Sequence, residues 1–195
     1  MIKNRSDITP YLIHWCKNDR FDYDEAFQCL LNILISEKLI ASSELIMGKH
    51  HVICFSEAPI KEVVRHHHGK YLPFGIAYLK KTIFEKGGRP VIYQTKEEYS
   101  KLPIDLQWRH VSYNPSGDSP CDFTWEREWR INVNELQLDP SEMLLVLPDS
   151  SWKDRLIKKY AEQQSDKNYM YEMLAGAGCG FFPEEPQYCI MDLNH

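Results

Sequence analysis

The sequence predicts an α+β fold, built on one mostly antiparallel sheet, split or curved, with flanking helices. Three observations predict it. Short apolar runs rich in β-branched and aromatic residues outnumber the helical patterns. These runs are bounded by Pro or Gly and do not alternate regularly with helices, which argues against a doubly wound parallel sheet. The 195 residues are 43% hydrophobic and 12% aromatic, enough for a core well above the size at which domains need disulfides or metals. No internal repeat or low-complexity linker interrupts the chain, so residues 1–195 read as a single domain.

Taken in order, Leu12-Ile13-His14-Trp15-Cys16 is an apolar stretch with one histidine set into it. Asp22 and Glu25 have capping-box spacing, and Phe27, Leu30, Leu31 and Leu34 share one face, which predicts an amphipathic helix over residues 24–40. Strands are predicted at residues 52–55, 74–79, 91–94, 129–133 and 143–147, with a last one at 188–193. Gly87-Gly88 before Arg89-Pro90 reads as a hairpin turn joining 74–79 to 91–94. Residues 96–106 and 151–164 have helical patterns, the second with Trp152, Leu156, Ile157 and Tyr160 on one face.

Charge and composition narrow the function classes. A net charge of -5 and a pI near 5.9 give no global drive toward nucleic acid or anionic membrane, leaving only a local basic groove. No run approaches the roughly 20 apolar residues of a membrane span, and the N-terminus has no apolar signal-peptide core. The cysteines (Cys16, Cys29, Cys54, Cys121, Cys179 and Cys189) form no CxxC pair and sit mostly in apolar contexts, as expected of reduced thiols in a cytoplasmic protein.

Several stretches carry chemistry-capable residues. In Trp125-Glu126-Arg127-Glu128-Trp129-Arg130, a continuous strand places Glu126, Glu128 and Arg130 on one face and Trp125, Arg127 and Trp129 on the other. That pattern fits a solvated, ion-paired strand or a carboxylate pair for acid/base work. His14 is either a core histidine or an imidazole for a ligand hydroxyl, with Trp15 packing beside it. Phe55, Ser56 and Glu57 lie where a buried strand breaks at Pro59, which is either a strand mouth for a ligand or an ordinary exit. Lys80, Lys81, Lys86 and Arg89 are either a charged tip or a seat for a diphosphate or nucleic-acid backbone. The runs His50-His51 and His66-His67-His68 lack partner spacing for a metal, so no metal site is expected.

Leu12-Ile13-His14-Trp15, Val52-Ile53-Cys54-Phe55-Ser56-Glu57-Ala58-Pro59, Phe74-Gly75-Ile76-Ala77-Tyr78, Gly87-Gly88-Arg89-Pro90-Val91-Ile92-Tyr93 and Asp122-Phe123-Thr124-Trp125-Glu126-Arg127-Glu128-Trp129-Arg130 follow one another in an order that resembles a bacterial family of small abortive-infection (AbiGi-like) proteins over residues 10–135. The series also looks like the ADP-ribosyltransferase fold, in particular the DarT-like toxins that modify DNA bases. The resemblance implies a split, mostly antiparallel sheet and NAD as co-substrate. It implies His14 as a ribose contact with Trp15 beside it, Phe55 and Ser56 as the second-strand nicotinamide pocket, and Arg89 as a diphosphate contact. Tyr78, Phe74 or Tyr71 would stack on nicotinamide. Glu128 would be the catalytic glutamate and Glu126 its E-x-E companion, with the loop 114–122 choosing the acceptor. The implied partners are NAD, a nucleic-acid base or protein side chain as acceptor, and a co-encoded antitoxin, with no membrane. Two other readings remain: a non-catalytic antitoxin or interaction module on the same fold, and a metal-dependent nuclease using Glu57, Glu126, Glu128 and Lys80.

Overall fold

The computed structural model describes residues 8–17, 22–60, 62–63, 71–116, 119–175 and 189–192; the side chains of Lys17, Tyr71, Leu72 and everything beyond residue 166 lie outside the described set. His66-His67-His68 and the loop residues Gly117 and Asp118 also fall outside it. In chain order the regular elements are β1 (Tyr11–Lys17), α1 (Tyr23–Ser36), β2 (Lys38–Ile40), β3 (Ile53–Ser56), β4 (Tyr71–Leu79), α2 (Lys80–Glu85), β5 (Arg89–Pro90), β6 (Ile92–Gln94), β7 (His110–Ser112), β8 (Glu128–Ile131), β9 (Glu135–Gln137), β10 (Met143–Leu147), α3 (Ser150–Ala175) and β11 (Cys189–Asp192).

Seven strands form the main sheet in the order β11-β10-β4-β1-β3-β8-β5. All its pairs are antiparallel except β10 with β11. The chain is therefore α+β with a mostly antiparallel sheet. β2 pairs with β9, and β6 pairs in parallel with β7, each as a separate two-stranded ribbon. The sheet is tightest between β1 and β4, registered from Tyr11↔Leu79 to Trp15↔Gly75. Between β1 and β3 the register pair is Ile13↔Ser56. Among the described residues no helix is long and apolar enough to cross a membrane.

Pleat alternation sorts the core into two layers. Leu12, Cys16, Phe55, Phe74, Ile76, Tyr78, Trp129, Met143 and Leu145 face α1 and the first turns of α3, where Phe27, Leu30, Leu31, Leu34, Leu156 and Tyr160 meet them. Ile13, Trp15, Ala77 and Val146 face the other way and pack on Ala58 and Val63. α1 begins at Asp22, whose carboxylate accepts from the Asp24 and Glu25 amides. It ends four residues before the expected limit, because Glu37 turns into a left-handed conformation (φ 55) and Lys38–Ile40 peels away to pair with β9.

Two local expectations are corrected. Gly87-Gly88 does not turn a hairpin between 74–79 and 91–94; it stops α2. The Gly87 amide bonds Phe84 O at 3.1 Å and the Gly88 amide bonds Ile83 O at 2.8 Å, with Gly87 at φ 96. This is the Schellman pattern, in which the left-handed residue closes the last helical carbonyls. A Cβ on Gly88 would fall 2.8 Å from Ile83 O, so the second glycine is needed for close approach. β5 then crosses to the far edge and pairs with β8. Residues 96–106 form two 3₁₀ stretches, Lys96–Lys101 and Ile104–Arg109, rather than one helix. Pro103 disfavours the helical region at Leu102 and breaks the run.

Gly75 is where β4 approaches β1 most closely: a Cβ there would sit 2.7 Å from His14 O. That oxygen belongs to the backbone and cannot rotate aside, so Gly75→Ala is expected to lower stability by about 1–3 kcal/mol, read from urea unfolding.

Candidate functional site

The site sits where β3, β8 and the segment leading into β8 come together. β8 does not begin at Trp125. Thr124–Glu126 is a 3₁₀ turn, and Arg127 follows in the left-handed region at φ 45, ψ 53. Glu126 and Glu128 therefore do not share one strand face, contrary to the alternation expected from sequence. The kink also separates the tryptophans. Trp129 is buried in the α1-side core, while Trp125 packs on the opposite layer. Arg127 is exposed. A non-glycine residue in the left-handed region is sparsely populated and is held here by its surroundings: Arg127 N bonds Thr124 O, and Arg127 O accepts from the Glu57 amide at 3.2 Å.

Glu128 is paired directly with Ser56 across β3 and β8. Ser56 is buried, and its hydroxyl donates to Glu126 O at 2.8 Å while accepting from the Ala58 amide at 3.1 Å. It fastens the turn before β8 to the end of β3. The Glu128 carboxylate accepts from Arg130 Nε at 2.8 Å, with side-chain exposures of 12% and 6%. Arg130 Nη1 donates to Trp108 O at 3.0 Å and His110 O at 2.7 Å. One buried guanidinium thus orients Glu128 and anchors the second 3₁₀ stretch and β7. The Glu128 amide donates to the Tyr93 hydroxyl at 3.0 Å, and that hydroxyl donates to Phe123 O at 3.2 Å. Burial pushes the Tyr93 phenol up to about 12, so it stays a neutral donor linking β6 to the loop before β8.

His14 lies on the neighbouring strand. Its Nδ1 is 2.9 Å from Cys54 O, bridging β1 and β3 beyond the Ile13↔Ser56 pair. Its ring meets Phe55 edge-on at 6.0 Å. Alternation from the Ile13↔Ser56 pair places His14 and Phe55 on the α1 side and Ser56 and Glu128 on the other. His14 therefore does not share a sheet face with Ser56 and Glu128. His14, Ser56 and Glu128 lie on three adjacent strands, β1, β3 and β8, about 5 Å apart at each step.

The other anticipated contacts divide in the same way. Trp15 is buried beneath Ala58 and Val63. Phe55 is buried against Tyr78 and Trp129. Tyr78 has no open face for stacking: it is 1% exposed, and its hydroxyl contacts Met143 Sδ at 3.8 Å. Burial, then Glu142 and Asp139, raise its phenol well above the usual range. A large aromatic on the core-facing side of a central strand is filled around, and Phe74 is buried by the same logic. Tyr71's side chain lies outside the described residues.

Arg89 is at the far edge, opposite Arg130. Its Nη1 donates to Phe84 O and Gly88 O, and its guanidinium lies 4.0 Å from the centroid of the half-exposed Phe84 ring. Arg109 Nε donates to Pro90 O at 2.9 Å. Burial, and then the charge of Arg89, pull Arg109 below its usual range. Neither arginine forms an ion pair with a carboxylate among the described residues, so two neighbouring cations are left without an internal counter-charge. Arg109 had no motif in the sequence to single it out; only folding brings it beside Arg89.

Glu57 holds a second polar cluster. Its carboxylate pairs with Lys80 at the start of α2 and accepts from Trp129 Nε1 at 2.7 Å. Lys80 is therefore neutralised and does not join Arg89. Among the described residues no group of three or more His, Cys, Asp or Glu could hold a metal ion.

As a site for NAD, the arrangement fits in part. Glu128 is oriented by Arg130 next to the sheet edge where Arg89 and Arg109 lie without an ion pair among the described residues, whereas the expected stacking face of Tyr78 is closed. Compared with known proteins, the chain matches no family model, no curated protein and no solved structure.

Proposed function

We propose that the chain is an NAD-dependent ADP-ribosyltransferase of a bacterial or phage defence or toxin system, with a nucleic-acid base or a protein side chain as acceptor. One observation carries the reading: Glu128 is paired with Ser56 across β3 and β8, and Arg130 fixes the little-exposed Glu128 carboxylate. NAD would supply a glycosidic bond that breaks with positive charge building on the ribose carbon. A carboxylate held in advance, in a poorly solvated place, stabilises such charge without reorganising. Glu128 has that role. Glu126, buried immediately before the Arg127 kink, shapes the approach to it. Arg89 and Arg109 offer unused N–H donors to a diphosphate. Tyr93 ties β6 to Phe123, so residues 119–122, just before it, would border the acceptor side.

A second reading, a non-catalytic interaction module on the same fold, is favoured by the internal hydrogen bonds that engage Ser56 and Glu128 and by the closed face of Tyr78. Incubating purified protein with NAD and single-stranded DNA, RNA or cell protein separates the two. Release of nicotinamide supports the enzyme. Tight binding of a co-encoded protein, with no nicotinamide released and no NAD bound in calorimetry, supports the module. If the arginine pair holds the diphosphate, Arg89→Ala with Arg109→Ala is expected to weaken NAD binding by about tenfold, roughly 1.5 kcal/mol for lost charge-assisted hydrogen bonds. Titration calorimetry of the double variant reads this directly.

A further inference from the structure

Both backbone groups of Glu128 are claimed from the segment that runs out of β5 into β6. Arg89 and Pro90 of β5 face Arg130 and Trp129 of β8, so the next rung outward pairs Val91 with Glu128. In a hydrogen-bonded antiparallel rung the two residues exchange both of their N–H···O bonds. Here only one has a backbone partner on each side: the Val91 amide donates to Glu128 O at 3.0 Å. The Glu128 amide turns instead to the Tyr93 hydroxyl, also at 3.0 Å. The left-handed Arg127 (φ 45, ψ 53) sets the tilt of the peptide that carries this amide. Alternation on β6 turns Tyr93 toward β8 while Ile92 and Gln94 face the other way. The same hydroxyl donates to Phe123 O at 3.2 Å. One oxygen thus accepts from one backbone group and donates to another, which a phenylalanine ring cannot do. Phe123 O keeps a second donor, the Glu126 amide at 3.0 Å, so loss of the hydroxyl falls mainly on Glu128.

We propose that Tyr93 is a positioning residue for Glu128: its hydroxyl fixes the backbone end of the residue whose carboxylate Arg130 fixes at the other end, an inference that rests on the ADP-ribosyltransferase reading. The two holds are the 3.0 Å bond from the Glu128 amide to Tyr93 and the 2.8 Å bond from Arg130 Nε to Glu128 Oε1. A glutamate held at one end only still pivots, either about its backbone or about its side-chain torsions. A carboxylate that must reorient as positive charge develops loses part of its stabilising effect. A displacement of about 1 Å at such a group costs up to about 10²-fold in rate. Tyr93 contacts neither NAD nor acceptor in this account and acts through Glu128 alone. Burial pushes its phenol up to about 12, so the hydroxyl keeps its proton, and with it the bond to Phe123 O, through neutral and mildly alkaline pH.

The test uses the full chain as wild type, as Tyr93→Phe and as the control Tyr99→Phe, which removes a hydroxyl bonded to His50 Nε2 at 3.0 Å. Nicotinamide release is measured against NAD concentration and scaled to the folded fraction from urea unfolding. Tyr93→Phe is expected to lower kcat about tenfold with KM within about twofold of wild type, and Tyr99→Phe to change neither. A hydroxyl that only braces the fold would lower stability and leave kcat per folded molecule unchanged. That result, or a rise in KM with kcat kept, overturns the assignment of Tyr93 alone. Wild type that releases no nicotinamide overturns the ADP-ribosyltransferase reading, and this inference with it. If Tyr93→Phe does not fold, native-state exchange of the wild-type amides decides. The Glu128 amide is then expected to exchange as slowly as the strand amides that follow it, and free exchange at Glu128 beside a protected Trp129 overturns the proposal.

Discussion

Replacing Arg130 with Met is expected to destabilise the protein by about 3–5 kcal/mol, the cost of stranding a poorly solvated carboxylate. Arg130 is 5% exposed and does three jobs at once: it faces Glu128 and donates to the carbonyls of Trp108 and His110. Met keeps most of the volume, so the loss reports electrostatics and hydrogen bonding and not a cavity. Glu128→Gln leaves the guanidinium a neutral acceptor and its two carbonyl partners, so it should cost less than Arg130→Met, about 1–3 kcal/mol. The double variant should recover part of the Arg130→Met loss, since the uncompensated charge has gone. Urea unfolding of all four forms gives the coupling. A loss below about 1 kcal/mol for Arg130→Met would show that Glu128 finds water or another partner, and that Arg130 does not hold the site together.

The second large effect is on rate. If Glu128 stabilises charge on the ribose carbon, Glu128→Gln should lower nicotinamide release by about 10²–10³-fold, the range for removing one preorganised electrostatic group. NAD affinity should change little, because that charge exists only in the transition state. A variant that lost binding and rate in proportion would instead place Glu128 in ground-state recognition. Glu135→Gln is a suitable control, because Glu135 pairs only with Lys38 and Gln137 on an exposed ribbon.

The strand cores were legible because they rest on local patterns. Met143–Leu147 falls where its apolar run predicts it, and β3 and β11 lie within a residue or so of their expected limits. The turn chemistry misled where one signal serves two structures: Gly-Gly closes a hairpin or caps a helix, and here it caps the short helix that buries Ile83. The site was less legible still. Alternation assigns faces only along an unbroken strand, and nothing local announces that Arg127 turns left-handed between Glu126 and Glu128. The same counting hid the fact that His14 and Ser56 are offset by one residue across Ile13↔Ser56 and so look to opposite sides. Arg109 and Tyr93 depend on chain segments 19 or more residues from them, which a motif cannot encode. Tyr78 was misjudged because an aromatic in a strand pattern reads alike whether it faces a ligand or the core.

The central claim is that Glu128, held by Arg130 beside Ser56 on β8, performs ADP-ribosyl transfer. Its most direct test is incubation of the wild-type protein and the Glu128→Gln variant, matched for folding by unfolding midpoint, with adenylate-labelled NAD and a mixture of single-stranded DNA, RNA and cell protein. The account predicts label on one acceptor class with the wild type and a loss of about 10²–10³-fold with the variant. Equal labelling by both proteins, or neither label transfer nor nicotinamide release by the wild type, would contradict it.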